Sequence, residues 1–429
     1  MARLESILYT PHRVVVTDDG ANWECVAKGN CIGNLPQIFW SNSSPWREAN
    51  LWAMERATSG ETNIQTVQAN MRALYTYANW LEDTSTGWWE FPDRKKDRCL
   101  VRYRGYLVAA RDTGELAGST VTQRMNDVIH FYRWLKASGL LSAELNTWQD
   151  KTIGIALTNQ FGLERTMSVT TTDLSIPNRK TIGAGLEGGL LPISTKHRDL
   201  LLNLAYENAS QELFLFLTLG FYTGMRLGSI SDLKVETINR AVPDPSADGL
   251  YMLSLGPSAS PPVHTKKSVN GQAWITETHL NALKEYSYSV RRLKRVAKAD
   301  RSNKDLLFLT SEGSSYSRQN PDRSSAINEQ MHRLKKAASE SNISVFKDFH
   351  FHQSRCTFAT ELAKLLLPEI GSTLTMAILR EALLHKDEST SRKYVKFVES
   401  APGKEAAANA FTAQFLGLTS RLNENVDGR

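Results

Sequence analysis

The sequence predicts a mostly α fold with a small antiparallel sheet, arranged as a helical domain followed by an α+β domain. Three observations predict this organisation. Apolar residues recur at helical spacing over residues 60–165. Helical stripes alternate with short strand-like runs from residue 193 onward. Between these regions, residues 166–192 are dense in Gly, Thr and Pro and lose apolar periodicity, which predicts a linker.

The first region begins with an N-terminal extension of unknown role, residues 1–58. An apolar run at 13–16 followed by a Thr-Asp-Asp-Gly turn predicts one strand there. The helical domain follows over residues 60–165. One helix carries an apolar stripe from Val67 to Leu81, and another carries a stripe from Val121 to Leu135.

The segment between these two helices, residues 93–111, is basic and interleaves Arg and Lys with Tyr103 and Tyr106. Two interpretations stay open from the sequence. The charges belong either to a solvated helix face or to a surface that binds phosphates.

The second region, from residue 193, predicts an alternation of helices and short strands. Leu200 and Leu204 open a helix, and the apolar run 213–222 is typical of a buried one. Strands are predicted at 251–255, 273–276 and 306–310. One long helix is predicted from Leu280 into the basic run 291–301, and another helix follows Arg318.

Composition excludes several classes of protein. The chain has 429 residues, a net charge of +6 and a pI near 9.0, with 41% hydrophobic residues, which excludes a disordered chain and permits a polyanionic partner. The longest apolar run, 213–222, is about half of what a membrane span needs, and the N-terminus lacks a signal-peptide pattern. The four cysteines form neither a CxxC pair nor a zinc set, so we expect a reduced, cytoplasmic protein without structural zinc.

Four short patterns in the second region carry chemistry. They are TGMRLGSISDL at 223–233, VHTKKSVNGQAWIT at 263–276, HQSRCTFATEL at 352–362 and LLHKDESTSRKYVKF at 383–397. His352 and Arg355 stand three residues apart, and His385 precedes Tyr394 by nine residues. Each of these residues, taken alone, also has an ordinary structural interpretation, and the ordered set is what makes the chemical one specific.

This ordered set resembles the tyrosine recombinase (phage integrase) family. Members carry TGxR, a Lys on a β-turn, HxxR before a TFAT-like helix start, then GH and a Tyr about nine residues later. The resemblance covers residues 193–400, and the helical region 60–165 is similar to the family's core-binding domain in pattern and position. It implies a DNA-binding helical domain and a tyrosine-recombinase catalytic domain, 193–429, that ends in a C-terminal tail.

The resemblance implies a site-specific recombinase or integrase of a mobile genetic element. Such an enzyme cleaves and rejoins DNA through a 3′-phosphotyrosyl intermediate, which conserves the phosphodiester energy, so no cofactor, metal or ATP is expected. The roles that it implies are Arg226 and Arg355 as clamps on the phosphate, Lys266 or the neighbouring Lys267 as general acid, His352 for acid–base work, His385 as a hydrogen-bond donor and Tyr394 as nucleophile.

The expected partners are double-stranded DNA recombination sites, three further copies of the chain in a synaptic homotetramer, and accessory DNA-bending proteins. No membrane partner is expected, and the protein would act at the nucleoid. The tail after Ala401 carries an apolar face at Ala407, Ala410, Phe411 and Phe415, which either packs on its own core or docks on a neighbouring protomer.

The chain departs from the family pattern at three positions. Ser229 stands where an acid is usual, Cys356 where His is frequent, and Leu384 where Gly usually precedes the second histidine. Because that acid normally supports the hydrogen bonding of the site, its absence keeps a second function open, a DNA-binding protein with impaired catalysis. A type IB topoisomerase, which shares the chemistry, is a third.

Overall fold

The structure is a computed structural model that describes residues 1–17, 20–26, 31–158, 164–178, 185–317, 324–340, 343 and 346–426. The chain divides into two compact units, Met1–Ile182 and Gly183–Arg429. Helices dominate both units, and the sheets are small and antiparallel. The predicted fold class is therefore confirmed.

The first unit contains six strands and four helices among its described residues. They are β1 (Arg3–Tyr9), β2 (His12–Thr17), β3 (Gly20–Cys25), β4 (Ile32–Phe39), α1 (Arg47–Thr58), α2 (Ile64–Asp83), α3 (Cys99–Asp112), α4 (Gly118–Ala137), β5 (Asp150–Thr158) and β6 (Glu164–Thr172). The strands pair as three separate antiparallel couples, β1 with β4, β2 with β3 and β5 with β6. The β2–β3 hairpin contains the strand predicted at 13–16.

The core of the first unit joins the predicted helical stripes to part of the N-terminal extension. Tyr77, Tyr103 and Tyr132 come from α2, α3 and α4 and are fully buried. Trp46 and Trp52 lie in the same core, so the division predicted at residue 58 does not separate two cores. Burying large aromatic rings is the main source of stability for such a core.

The predicted linker, residues 166–192, contains the boundary between the units but also includes most of a strand. The segments 150–158 and 164–172, which the sequence divides between the helical domain and the linker, pair as β5 and β6, and their register runs from Asp150 opposite Thr172 to Thr158 opposite Glu164. The β-branched residues that dilute helical periodicity here favour an extended chain. The boundary between the units falls at 182/183.

The second unit contains nine helices and three strands among its described residues. They are α5 (Thr195–Asn208), α6 (Gln211–Thr223), α7 (Leu227–Ser231), α8 (Val235–Asn239), β7 (Val242–Pro243), β8 (Leu250–Leu255), β9 (Gly271–Thr276), α9 (Glu277–Ser287), α10 (Val290–Lys298), α11 (Ser325–Glu340), α12 (His352–Ala382) and α13 (Glu388–Val426). The strands form one sheet in the order β7-β8-β9. The strands predicted at 251–255 and 273–276 are β8 and β9.

The third predicted strand, 306–310, is wrong. These residues form a buried irregular segment whose backbone carbonyls accept hydrogen bonds from arginines instead of from a neighbouring strand. Arg292 donates to the carbonyls of Leu306 and Leu307, and Arg295 donates to that of Leu309. Guanidinium groups thus supply the hydrogen bonds to these backbone carbonyls that a neighbouring β-strand was expected to supply.

Part of the basic run 291–301 is buried and makes contacts inside the fold. Arg292 is 5% exposed, and Arg291 and Arg295 both pair with the buried carboxylate of Glu212. Three of its six basic residues therefore stabilise the fold. The long helix predicted here is also interrupted, because Ser289 caps a new helix, α10, by accepting a hydrogen bond from the backbone N–H of Arg292.

Helix α12 is long and apolar enough to span a membrane by length and composition alone. One such helix is weak evidence, and this one contains Pro368 and breaks at Gly371, whose φ is +71°. Its first turns pack into the core through Cys356 and Ala359.

Helix α13 continues into the C-terminal tail. Ala410 and Phe411 are exposed there, so this part of the predicted apolar face does not pack on its own core. The side chain of Phe415 lies outside the described residues.

Candidate active site

Arg226 is positioned by a tight exit from the buried helix α6. Gly224 ends α6 with φ +65°, and a Cβ there would lie 2.5 Å from Phe358 Cδ1, so only glycine fits without strain. Arg226 then precedes α7 as its N-cap residue. Its side chain is 16% exposed, which keeps the guanidinium partly desolvated.

Arg355 lies in the first turn of α12, one turn after His352, so both side chains project from the same face. Its side chain is 3% exposed. It donates to the carbonyl of Gly224 at 2.7 Å and to that of Leu383 at 2.6 Å. These two bonds connect α12 to the end of α6 and to the segment before His385. The Nε of Arg355 takes part in neither of them.

His385 and Tyr394 come from the connection between α12 and α13 and from α13 itself. Their rings stack at a centroid distance of 6.2 Å. Leu384, which replaces the usual glycine, adopts φ +50°, a conformation unusual for leucine. His385 Nδ1 lies 2.9 Å from Ser391 Oγ. The hydroxyl of Tyr394 lies 3.7 Å from Cys356 Sγ, so the cysteine in the family's histidine position packs against the proposed nucleophile.

A carboxylate that the sequence analysis missed, Glu187, lies at the centre of these residues. Its side chain is 14% exposed and sits in a short 3₁₀ turn, Glu187–Gly189. Five proposed catalytic groups surround it. They are His385 Nε2 at 2.6 Å, the Tyr394 hydroxyl at 3.1 Å and Arg355 Nε at 3.3 Å from Oε1, with His352 Nε2 at 3.2 Å and Arg226 Nη2 at 3.7 Å from Oε2.

The electrostatics of the cluster follow from this arrangement. Burial alone would raise the pKa of Glu187, but hydrogen bonds from His352 and His385 and the charge of Arg355 outweigh it and hold that pKa well below its usual range. Burial lowers the pKa of His385 despite its bond to Glu187. A neutral His385 then carries its proton on Nε2, since a carboxylate can only accept, and Ser391 donates to Nδ1.

Tyr394 is not activated in this arrangement. Burial and the neighbouring carboxylate of Glu187 together raise its pKa above the ordinary value of a tyrosine. A neutral phenol is a poor nucleophile. The negative charge of Glu187 opposes ionisation of the Tyr394 phenol. Ionisation becomes favourable only when the surrounding cationic groups act on the phenol without that charge beside it.

The two candidate lysines lie apart from the Glu187 cluster. Lys266 and Lys267 occupy the β8–β9 connection, as predicted, and both are exposed. Lys267 adopts φ +62° and its Nζ lies 3.5 Å from Asp387, two residues after His385. Among the described residues, neither lysine contacts the Glu187 carboxylate. The choice between them therefore stays open.

The position of the usual acid is filled differently. Ser229 is buried in α7. Asp232, one turn further, accepts a hydrogen bond from the backbone N–H of His264 at 2.6 Å and pairs with Lys234. It therefore holds the middle of the β8–β9 connection and does not join the cluster. In the described residues, Glu187 is the carboxylate that meets both histidines.

Comparison with known proteins bears on the sequence of the second unit and on the fold. The model of the phage integrase family matches residues 195–399. The fold is similar to the Tn1549 transposon integrase in complex with transposon right end DNA, with a TM-score of 0.50 and 13% identity over 84% of this chain and 99% of that chain. A variant of the Tn1549 integrase in complex with a circular intermediate DNA gives a TM-score of 0.50 at 13% identity, covering 81% of this chain and 94% of that one.

A lambda integrase dimer bound to a COC′ core site is more distant. Its TM-score is 0.46 at 13% identity, over 81% of this chain and 93% of that chain. No curated protein matches the sequence. At 13% identity, the likeness to the Tn1549 integrase shows the fold alone.

Proposed function

We propose that this chain, whose residues 195–399 match the model of the phage integrase family, is the site-specific recombinase or integrase of a mobile genetic element. It would cleave and rejoin duplex DNA through a 3′-phosphotyrosyl intermediate. The observation that carries the proposal is the convergence of Arg226, Arg355, two histidines and Tyr394 on one pair of anionic oxygens. A phosphodiester offers a similar pair of anionic oxygens.

The proposed reaction balances without a cofactor. The Tyr394 oxygen attacks phosphorus and the bond to the 5′-oxygen breaks, while His352 takes the phenolic proton and Lys266 or Lys267 protonates the leaving oxygen. Negative charge grows on the non-bridging oxygens in the transition state. Arginines at fixed positions in a partly dry site stabilise that charge more than water does. Religation reverses the same steps.

DNA is the proposed partner, held as a duplex recombination site by phosphate contacts whose strength falls with salt. Strand exchange between two duplexes calls for a homotetramer, and the exposed apolar residues of the tail, Ala410 and Phe411, are available to dock on a neighbouring protomer. Accessory DNA-bending proteins would assist the assembly. Action on chromosomal DNA would place the protein at the nucleoid in the cytoplasm.

The test uses a nicked duplex whose sequence is first located by gel shift within the DNA that flanks the gene. Wild type, Tyr394→Phe and the matched control Tyr288→Phe, which changes an exposed tyrosine of the same unit, are each incubated with this duplex. We expect an SDS-resistant protein–DNA band from wild type and from Tyr288→Phe, and none from Tyr394→Phe. An adduct on the Tyr394→Phe protein would refute the nucleophile.

A second candidate is a DNA-binding protein that keeps the fold with impaired catalysis, and Ser229 in the acidic position favours it. This function predicts site-specific binding with no adduct from any of the three proteins. A type IB topoisomerase would instead relax supercoiled plasmid without sequence demand, which the same preparations test directly.

A further inference from the structure

The carboxylate of Glu187 occupies the place that the proposed reaction needs for phosphate. Each of its oxygens meets at least one arginine and one histidine, the pairing that an arginine-clamped oxyanion would have. Oε1 lies 3.1 Å from the Tyr394 hydroxyl. An atom that Tyr394 attacks has to approach to about 3–3.5 Å, so the carboxylate and a scissile phosphate compete for one position.

The segment that carries Glu187 is held against α12, the helix that carries His352 and Arg355. Leu186 is buried and packs in the cluster that contains Cys356 and Tyr394. Gln353 of α12 donates to the carbonyl of Leu191 at 3.0 Å. The carboxylate is thus held in the site by packing on both sides of it and by its own five contacts.

Two anions cannot share this position without a large repulsion, because the site is partly desolvated and like charges a few ångströms apart disfavour each other. The cost increases when a second negative charge develops on phosphate during the reaction. Either Glu187 leaves or the phosphate stays out. The electrostatic consequence for Tyr394 is the same, since its hydroxyl has a carboxylate beside it until Glu187 moves.

We propose that Glu187 is an autoinhibitory ligand of the catalytic site, a carboxylate that takes the place of the scissile phosphate until target DNA displaces it. Autoinhibition has a meaning only if the proposed function is right. The competition between anions at the site does not depend on that function. Autoinhibition makes engagement of DNA a condition for assembling an active centre. A protomer that has not engaged DNA would be restrained from attacking other phosphodiesters.

The first test measures binding of a small anion and needs no DNA. Inorganic phosphate is titrated by calorimetry and by thermal shift into wild type, Glu187→Gln and the matched control Glu361→Gln, whose carboxylate pairs with Arg198 outside the site. Glutamine keeps the size of the side chain and removes its charge. We expect phosphate to bind Glu187→Gln at least tenfold more tightly than it binds the other two proteins, and to raise the melting temperature of that variant selectively.

A second variant covers the case in which Glu187→Gln folds poorly. Glu187→Asp keeps the charge on a side chain one methylene shorter, and its phosphate affinity should lie between those of wild type and Glu187→Gln. Equal phosphate affinity for all folded variants would overturn the proposal.

The second test uses the nicked DNA of the adduct assay at subsaturating concentration. Autoinhibition predicts faster adduct formation by Glu187→Gln than by wild type and by Glu361→Gln. Slower adduct formation with unchanged phosphate affinity would identify Glu187 as a positioning residue for the histidines and reject autoinhibition. Tighter phosphate binding with no adduct from any protein would keep the competition at the site and reject the recombinase function.

Discussion

Glu212 offers the sharpest test of how the second unit is stabilised. This carboxylate has no exposed side-chain surface and accepts four hydrogen bonds. Tyr286 and Arg291 Nε donate to Oε1 at 2.9 and 2.7 Å. Arg291 Nη2 and Arg295 Nη2 donate to Oε2 at 2.9 and 3.0 Å. The network fixes α10 to the start of α6, the helix that leads to Arg226.

Glu212→Gln keeps the volume of the side chain but replaces one oxygen with an amide nitrogen. Whichever way the amide turns, two donors lose their acceptor and face N–H groups. Hydrogen bonds to charged groups contribute about 1.5–3 kcal/mol each, and breaking a buried ion pair from one side typically costs about 3–5 kcal/mol. We therefore expect Glu212→Gln to destabilise the second unit by about 3–5 kcal/mol, or on the order of 10 °C in Tm for a unit of this size.

The matched control is Glu236→Gln, which removes a carboxylate 2.6 Å from Arg240 in a pair whose side chains are 57% and 51% exposed. Exposed pairs of this kind contribute little to stability, because water and salt screen the charges. Scanning calorimetry on the full chain measures both variants. Of the ten tryptophans, Trp274 alone lies beyond residue 182, so tryptophan fluorescence mainly tracks the first unit and assigns the transitions. A Glu212→Gln transition within about 1 kcal/mol of the control would refute the reasoning.

Three further predictions concern the site and its support. Lys266→Ala should lose adduct formation and regain it on DNA with sulfur at the scissile 5′-position, because a thiolate leaves without a proton; rescue of Lys267→Ala instead would assign the general acid to that residue. Gly224→Ala should cost about 2–4 kcal/mol in urea unfolding, from φ +65° and a Cβ 2.5 Å from Phe358, and a loss below about 1 kcal/mol would contradict that strain. Burial lowers the pKa of His279 from 6.5 to about 4, so the unfolded chain takes up this proton first. The contribution of His279 to the free energy of unfolding is complete above pH 6.5 and is lost as pH falls toward 4, a loss of about 2–3 kcal/mol by pH 4.5. His279→Gln should remove this amount from the difference between the free energies of unfolding measured at pH 7 and pH 4.5.

The sequence by itself determined the fold class and the order of the catalytic motifs. Period 3.6 placed the buried faces of α2, α4 and α11, and short apolar runs between turns placed β8 and β9. These elements can be predicted because the period with which their side chains face the core involves only residues close together in the sequence. The ordered motifs name residues that the fold does bring together, which is the case for Arg226, Arg355 and Tyr394.

Tertiary structure alone decided the rest, and the reason is distance along the chain. Glu187 lies in a Gly-rich stretch that looks like a linker, yet it meets His352 across 165 positions and Tyr394 across 207. The periodicity of apolar residues in a sequence cannot predict a contact between residues so far apart in the chain. The segment 306–310 has the composition of a strand, yet three of its carbonyls accept hydrogen bonds from Arg292 and Arg295 of a neighbouring helix. Charge in the sequence gives a residue its chemistry, while the packing around that charge decides whether it stabilises the fold, as at Arg292, or lies in the candidate site, as at Glu187.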